Sequence, residues 1–204
     1  MTEQEAPPNH HANHPGFAGV AGFAAALSMV IGRKGDARVA VRLSGMHSGD
    51  TVVDIGCGPG AAVRYAARRG ATAIGVDPAP VMVRVAKLLT RRTARVRYIE
   101  GFAEAIPLQD RSASIVWSIA TVHHWGDIDA GLREARRVLV DGGRLVAIER
   151  QSKPGATGHA SHGWTQEQAD VFMNRTRQHG FADVRLERES TGRRTTISVV
   201  GKAT

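Results

Sequence analysis

Asp54-Ile55-Gly56-Cys57-Gly58-Pro59-Gly60 places a carboxylate ahead of three alternating glycines. Glycine has no Cβ and takes left-handed backbone readily, so such a run turns tightly and lets a ligand approach the main chain. A second carboxylate, Asp77, follows Asp54 by 23 residues. An acid at that distance past a glycine turn is suited to accept hydrogen bonds from a ribose diol. The two together point to a nucleotide-like ligand. A third group lies in Val122-His123-His124-Trp125. An imidazole titrates near neutrality, so His123 or His124 could take a proton from a substrate hydroxyl. The alternative is that one ring is a structural hydrogen-bonder and Trp125 packs a helix. The single cysteine, Cys57, lies inside the glycine run and reads as a small residue packed under the loop, not as a nucleophile.

The elements that must position these groups follow from periodicity. Residues 51–55 read as a short buried strand ending in the first carboxylate, with a helix over about 60–69 behind the turn. A second strand over 71–76 ends at Asp77. The helix at about 79–91 carries Val81, Met82, Val85, Leu88 and Leu89 on one face, a 3.6-residue period. Strands at about 95–100 and 114–119 follow. The helix at about 127–139 then has Ile128, Leu132, Ala135, Val138 and Leu139 as its buried stripe. Asp141-Gly142-Gly143 is a turn before a fifth strand over 144–149. Thr165 and Gln168 form a capping box for a last helix, with Ala169, Phe172, Met173 and Thr176 inside and Gly180 as its stop. Strands at about 182–189 and 195–201 close the chain as a hairpin. Helices alternating with strands in this way predict a Rossmann-like, doubly wound, mostly parallel seven-stranded sheet with an antiparallel hairpin at its end.

The 204 residues suit one domain. Residues 1–16 are polar and rich in Pro and His, which predicts a flexible arm. Residues 17–46 predict a helical cap, and residues 47–204 a cofactor-binding core. The formal net charge of +8 is spread as scattered arginines. Its local cluster, Arg84 to Arg97, centres on Arg91-Arg92 and lacks interleaved aromatics, so a nucleic-acid partner is disfavoured. One cysteine excludes an internal disulfide and supplies no metal-ligand set, and His10, His11 and His14 lack supporting acids. No bound metal is expected. Phe17 to Ile31 is apolar but shorter than the roughly 20 residues of a spanning helix, so no membrane span and a cytoplasmic location are expected.

On the Asp54, Gly56, Gly58, Gly60 run and the acid at Asp77, the chain resembles the class I S-adenosylmethionine-dependent methyltransferases, in their small-molecule, type 11-like branch. The resemblance implies S-adenosylmethionine as cofactor, S-adenosylhomocysteine as product and a small-molecule acceptor, and is compatible with a homodimer. It implies that Asp54, Ile55, Gly56, Cys57, Gly58 and Gly60 hold the methionine part. Asp77, flanked by Pro78 and Met82, would hold the ribose. Phe102, Ala103 and Glu104 would pass the adenine. Ser118 and Ile119 would lie beneath the methyl group, and His123 or His124 would serve catalysis. Two positions depart from the family pattern: Phe102 stands where an Asp usually accepts from the adenine amino group, and Ala113-Ser114 replaces Phe-Asp. N-terminal helices would wall the site with Phe17, Phe23, Leu27, Met29 and Val30, or those residues would simply cover one edge of the sheet. His159 and His162, in the loop after the fifth strand, have a claim to the site but read better as solvated loop residues.

Two other readings stay open. Gly56, Gly58 and Ala61 satisfy G-x-G-x-x-A, the pattern of an NAD-type oxidoreductase, although no catalytic Tyr-Lys pair accompanies it. A methyltransferase-like protein that binds the cofactor without turnover is the other. Ala120-Thr121-Val122-His123-His124 occupies the place where nucleic-acid base N-methylating enzymes carry a Pro-Pro-aromatic signature, which argues against that class.

Overall fold

Val52, Val53 and Ile55 are all buried, so the β1 strand (Thr51–Ile55) is covered on both faces, as a central parallel strand must be. A computed structural model describes residues 34–90, 94–191 and 194–204. The expected N-terminal arm, the wall residues Phe17 to Val30 and the Arg91-Arg92 pair lie outside the described residues.

The chain runs α1 (Lys34–Ser44), β1, α2 (Ala61–Ala67), β2 (Thr72–Asp77), α3 (Pro80–Leu89), β3 (Val96–Glu100) and β4 (Ala113–Ile119). It continues with α4 (Ile128–Val138), β5 (Leu139–Arg150), α5 (Gln166–Gln178), β6 (Phe181–Thr191) and β7 (Arg194–Ala203). The seven strands form one sheet in the order β3-β2-β1-β4-β5-β7-β6. The first five are parallel, and β7 pairs antiparallel with both β5 and β6. This is the doubly wound sheet with a closing hairpin that the periodicity predicts.

Alternation along β1 divides the core. Val53 and Ile55 face the layer that holds Leu132, Ala135 and Val138 of α4 and Ala169 and Phe172 of α5. Val52 faces Ala37, Ala40 and Leu43 of α1, Val63 and Ala66 of α2, and Ala86 of α3. Each fully buried aliphatic side chain contributes about 1.5–3 kcal/mol. The α5 helix begins at the expected capping box, with the Thr165 side chain and the Gln168 side chain each accepting from the other's backbone N–H. No helix among the described residues is long and apolar enough to cross a membrane.

The predicted face of α3 needs correction. Met82, Val83, Val85 and Ala86 are its buried side chains, whereas Leu88 is 82% and Leu89 43% exposed. The helix ends just after these leucines, where the sheet no longer backs it. The α2 helix is also shorter than predicted, because Gly70 (φ 89°) ends the turn that follows it. Finally, β5 starts at Leu139 instead of at Arg144. Leu139 pairs with Ala113, the register shifts through the Gly142 turn (φ 78°), and Arg144 resumes opposite Ile115.

Candidate functional site

In a parallel sheet the segments leaving neighbouring strands emerge on one edge. Here β1, β2, β4 and β5 deliver the glycine turn, Asp77, the histidine turn and Glu149 to that edge. The glycine turn is built from left-handed backbone, with φ of 70° at Gly56, 52° at Gly58 and 76° at Gly60. At Gly56 any side chain is forbidden twice over, since a Cβ would stand 2.6 Å from Thr121 Cγ2. The Gly56 and Cys57 N–H groups donate to Val76 O at 2.8 and 3.0 Å, locking the turn onto β2. Gly58 is different: a Cβ there would meet nothing within 4 Å.

The second carboxylate faces this turn. Asp77 Oδ2 accepts from Gly58 N–H at 2.8 Å and Oδ1 from Ala79 N–H at 3.0 Å. The two sequence acids are thus physically joined to one loop. Asp54, Gly56, Cys57 and Ile119 line a cleft together with Pro59, Ala61 and Ala62. Cys57 is buried beneath the loop, where Gly75 leaves it room: a Cβ on Gly75 would stand 2.7 Å from its sulfur. Gly60 rests on Tyr98, whose hydroxyl contacts Thr90 at 2.9 Å and whose burial pushes its pKa up.

Other predicted site residues are placed less directly. Ile55 and Met82 are fully buried, Met82 beside Val85 in a small cluster of its own. Pro78 is exposed on the way into α3. Phe102 is 59% exposed, while Ala103 is buried. The Glu104 carboxylate accepts from Gly126 N–H at 2.6 Å and Asp127 N–H at 3.1 Å, tying this segment to the start of α4. It is also tethered by Arg137, which donates to Ile106 O and Leu108 O at 2.8 Å each and to Asp110 Oδ1 at 2.7 Å. The Arg137 hydrogen bonds also hold the Glu134 carboxyl below its ordinary range. Ser118 is fully buried, its hydroxyl 2.7 Å from that of Thr121, which in turn donates to Ile55 O at 2.9 Å. Ser114, the off-pattern residue, sits at the opposite edge of the sheet and donates to Asp50 Oδ1 at 2.7 Å.

The histidine turn contains a group that sequence reasoning missed. Ala120 takes a left-handed φ of 55°, swinging the chain off β4 into a short turn, Val122–His124. His123 Nδ1 lies 2.9 Å from Glu149 Oε2, and Glu149 is 1% exposed. Trp125 packs inside, with its ring centroid 6.3 Å from that of Phe172. His162 reads from the sequence as a solvated loop residue before it reads as part of the site, and no bound metal is expected. Instead the loop after β5 folds back, so that one ligand atom from each of His123, His124 and His162 lies within 4.8 Å of the other two. The signal was topological: β4 and β5 are parallel neighbours, so the loops that follow them leave the same edge of the sheet.

Residues 53–147 match a methyltransferase domain family, type 11. The chain is 32% identical over 112 residues to a demethylmenaquinone methyltransferase of Tropheryma whipplei, covering 55% of this chain and 46% of that protein. It is 32% identical over 139 residues to a malonyl-[acyl-carrier protein] O-methyltransferase of Serratia marcescens, covering 67% and 52%. The chain therefore spans about half the length of these curated relatives. The fold is shared with the Haemonchus contortus phosphoethanolamine N-methyltransferase 2 solved with S-adenosyl-L-methionine, at a TM-score of 0.71 and 17% identity over 89% of this chain and 56% of that one. A glycine turn joined to the acid that ends β2, on a sheet closed by an antiparallel strand pair, agrees with that match, and over residues 53–147 the chain is similar to the methyltransferase domain family, type 11 branch.

Proposed function

We propose that this protein transfers a methyl group from S-adenosylmethionine to a small-molecule acceptor. The observation that carries the reading is the hydrogen bond from Gly58 N–H to Asp77, which ties the acid that ends β2 to the glycine turn. It fixes the carboxylate beside the glycine turn, where a carboxylate suits a ribose diol because its oxygens accept more than one hydrogen bond each. Asp54, Gly56 and Ile119 line the neighbouring cleft, where the methionine part would lie. The exposed ring of Phe102 would wall the adenine by stacking, in place of the usual Asp.

The donor carbon is already activated, so the chain has mainly to align and to exclude water. A lone pair on the acceptor forms the new bond to the methyl carbon. The sulfur–methyl bond breaks, its electron pair stays on sulfur, and the sulfonium becomes a neutral thioether. A hydroxyl acceptor also releases a proton. His123 and His124 would serve that step, as imidazoles that take the proton or as ligands of a cation that acidifies the hydroxyl.

Calorimetric titration with S-adenosylmethionine, S-adenosylhomocysteine and NAD tests the reading. Micromolar binding of the two sulfur compounds, with none of NAD, is expected. Binding of NAD alone would overturn it in favour of an oxidoreductase. Cofactor binding without methyl transfer to any of a broad acceptor panel would favour the protein without turnover. Ser114, though off the family pattern, gives that last alternative no support, because it is bonded to Asp50 at the opposite edge of the sheet.

A further inference from the structure

We propose that His123, His124 and His162 bind a divalent transition-metal ion of the zinc, cobalt or nickel kind, with Glu149 as the carboxylate behind His123. The ring centroids are 4.0 Å apart for His123 and His124, 5.4 Å for His123 and His162, and 5.7 Å for His124 and His162. The candidate ligand atoms all lie within 4.8 Å of one another. A tetrahedral site with metal–nitrogen bonds of about 2.0–2.1 Å sets its nitrogens roughly 3.4 Å apart. The largest gap therefore closes by a small rotation of two rings.

Glu149 gives the cluster its direction. Its side chain is 0% exposed and its Oε2 stands 2.9 Å from His123 Nδ1. When that nitrogen donates to the carboxylate, the Nε2 lone pair points away from Glu149, as in carboxylate–histidine–metal arrangements. A buried carboxylate is costly unless a cation or a set of donors compensates it. The backbone N–H of His123 also donates to Glu149 at 3.4 Å, so the turn and the strand end are tied twice.

The third ligand is held by main chain rather than left on a loose loop. Gly163 has φ 135°, and a Cβ there would overlap the Arg150 carbonyl oxygen. Trp164 N–H donates to that oxygen at 2.9 Å, and Ser152 N–H donates to Trp164 O at 2.8 Å. Trp164 is then anchored on Phe172 at 4.8 Å between centroids. His162, directly before this clamp, is thereby set against the histidine turn.

Three imidazoles, with no fourth ligand grouped with them among the described residues, describe the open kind of zinc site, with one position for an exogenous oxygen. The cluster begins four residues after Ile119, which lines the cleft. Resting on the methyl-transfer reading, the open position would take an oxygen donor of the acceptor, such as a hydroxyl or a carboxylate.

The test is a titration of the metal-stripped full chain with Co2+, read by its visible ligand-field absorption, followed by displacement with Zn2+. We expect an intense tetrahedral-type spectrum that Zn2+ abolishes. Because His10, His11 and His14 could also bind metal, the same titration is made on a variant with all three changed to Ala. It should keep the spectrum. His162→Ala and His124→Ala should weaken Co2+ binding by more than about tenfold, and Glu149→Gln by about 10–100-fold. His124 is exposed, so its variant reads the site without disturbing the core. No tetrahedral spectrum, equal affinity in His124→Ala and wild type, or loss of the signal in the N-terminal variant alone would overturn the proposal. Calorimetry with S-adenosylhomocysteine on the same samples separates the two readings, since the cobalt signal does not depend on cofactor binding.

Discussion

The two edges of the sheet carry polar networks of opposite kinds. At the amino edge, Asp50 accepts from His47 N–H at 2.8 Å, from the Ser114 hydroxyl at 2.7 Å and from Arg144 at 3.1 Å. Arg144 also donates to Gly45 O, closing the group on itself. Every partner there is protein, and the network joins α1, β1, β4 and β5 into one frame. At the carboxyl edge the groups sit on left-handed turns at Gly56, Gly58, Gly60 and Ala120. Their polar side chains are held by main chain, as Asp77 is by Gly58 and Ala79, or by a neighbouring side chain, as His123 is by Glu149. Backbone in sparsely populated regions costs of order 1–3 kcal/mol per residue when the residue has a Cβ, and it gathers where function needs it. One edge is a frame of side chains that brace the strands; the other gathers its acids and histidines on turns beside a cleft.

The largest test of this contrast is inside the glycine turn. Gly56→Ala meets both a left-handed φ of 70° and the Thr121 side chain at 2.6–2.8 Å. We expect it to lose about 2–4 kcal/mol of stability, from backbone strain plus overpacking, and to bind cofactor too weakly to measure. Gly58→Ala, with φ 52° and open space around its Cβ, should lose only about 1–2 kcal/mol. Urea denaturation of both variants checks this. Equal losses would mean that Thr121 does not brace the turn.

Next in size is Asp77→Ala, which should weaken S-adenosylhomocysteine binding by about 1–3 kcal/mol, or roughly 5–150-fold. That variant also frees the N–H groups of Gly58 and Ala79, so a loss could come from a slackened turn alone. A double-mutant cycle separates the causes. An analogue lacking the ribose hydroxyls should bind wild type weakly and Asp77→Ala no worse than the natural ligand does. A cycle with no coupling between the hydroxyls and Asp77 would sink the ribose assignment.

The contrast also explains what could be read in advance. Element types, their order and the closing hairpin were legible because buried strands and amphipathic helices leave strong periods, and glycine turns punctuate them. The glycine turn and Asp77 were legible because their chemistry depends on local spacing. His162 was not, since the loop that carries it has no period and its neighbours come from another strand. Glu149 was legible as a strand end but not as the partner of His123, because that pair spans 26 residues. Leu88 and Leu89 misled for the converse reason: they fit the helical stripe of α3, yet the sheet stops short of them. Spacing reports local geometry, whereas the meeting of two loops follows only once the strand order is known.

The smallest expected effect lies at the amino edge, and its value is that it should leave the other edge alone. Burial pushes the Asp50 carboxyl up, but the His47 N–H, the Ser114 hydroxyl and the Arg144 charge outweigh that and hold it below its ordinary value of 3.8. The native state therefore binds fewer protons here than the unfolded chain does in that range. The resulting stability is complete above the unfolded-state value and fades as the pH falls through the lower native one. Asp50→Asn should thus cost about 1 kcal/mol at neutral pH, from weakened hydrogen bonds, and lower Tm by about 2–4 °C. The deficit should shrink as wild type and variant are compared at progressively more acid pH. Cofactor affinity, measured at neutral pH, should be unchanged. A deficit that stays constant into acid would show that the charge on Asp50 adds nothing to the frame. A change in cofactor affinity would show that the two edges are coupled through β1 and β4, and that the amino edge is part of the site rather than its support.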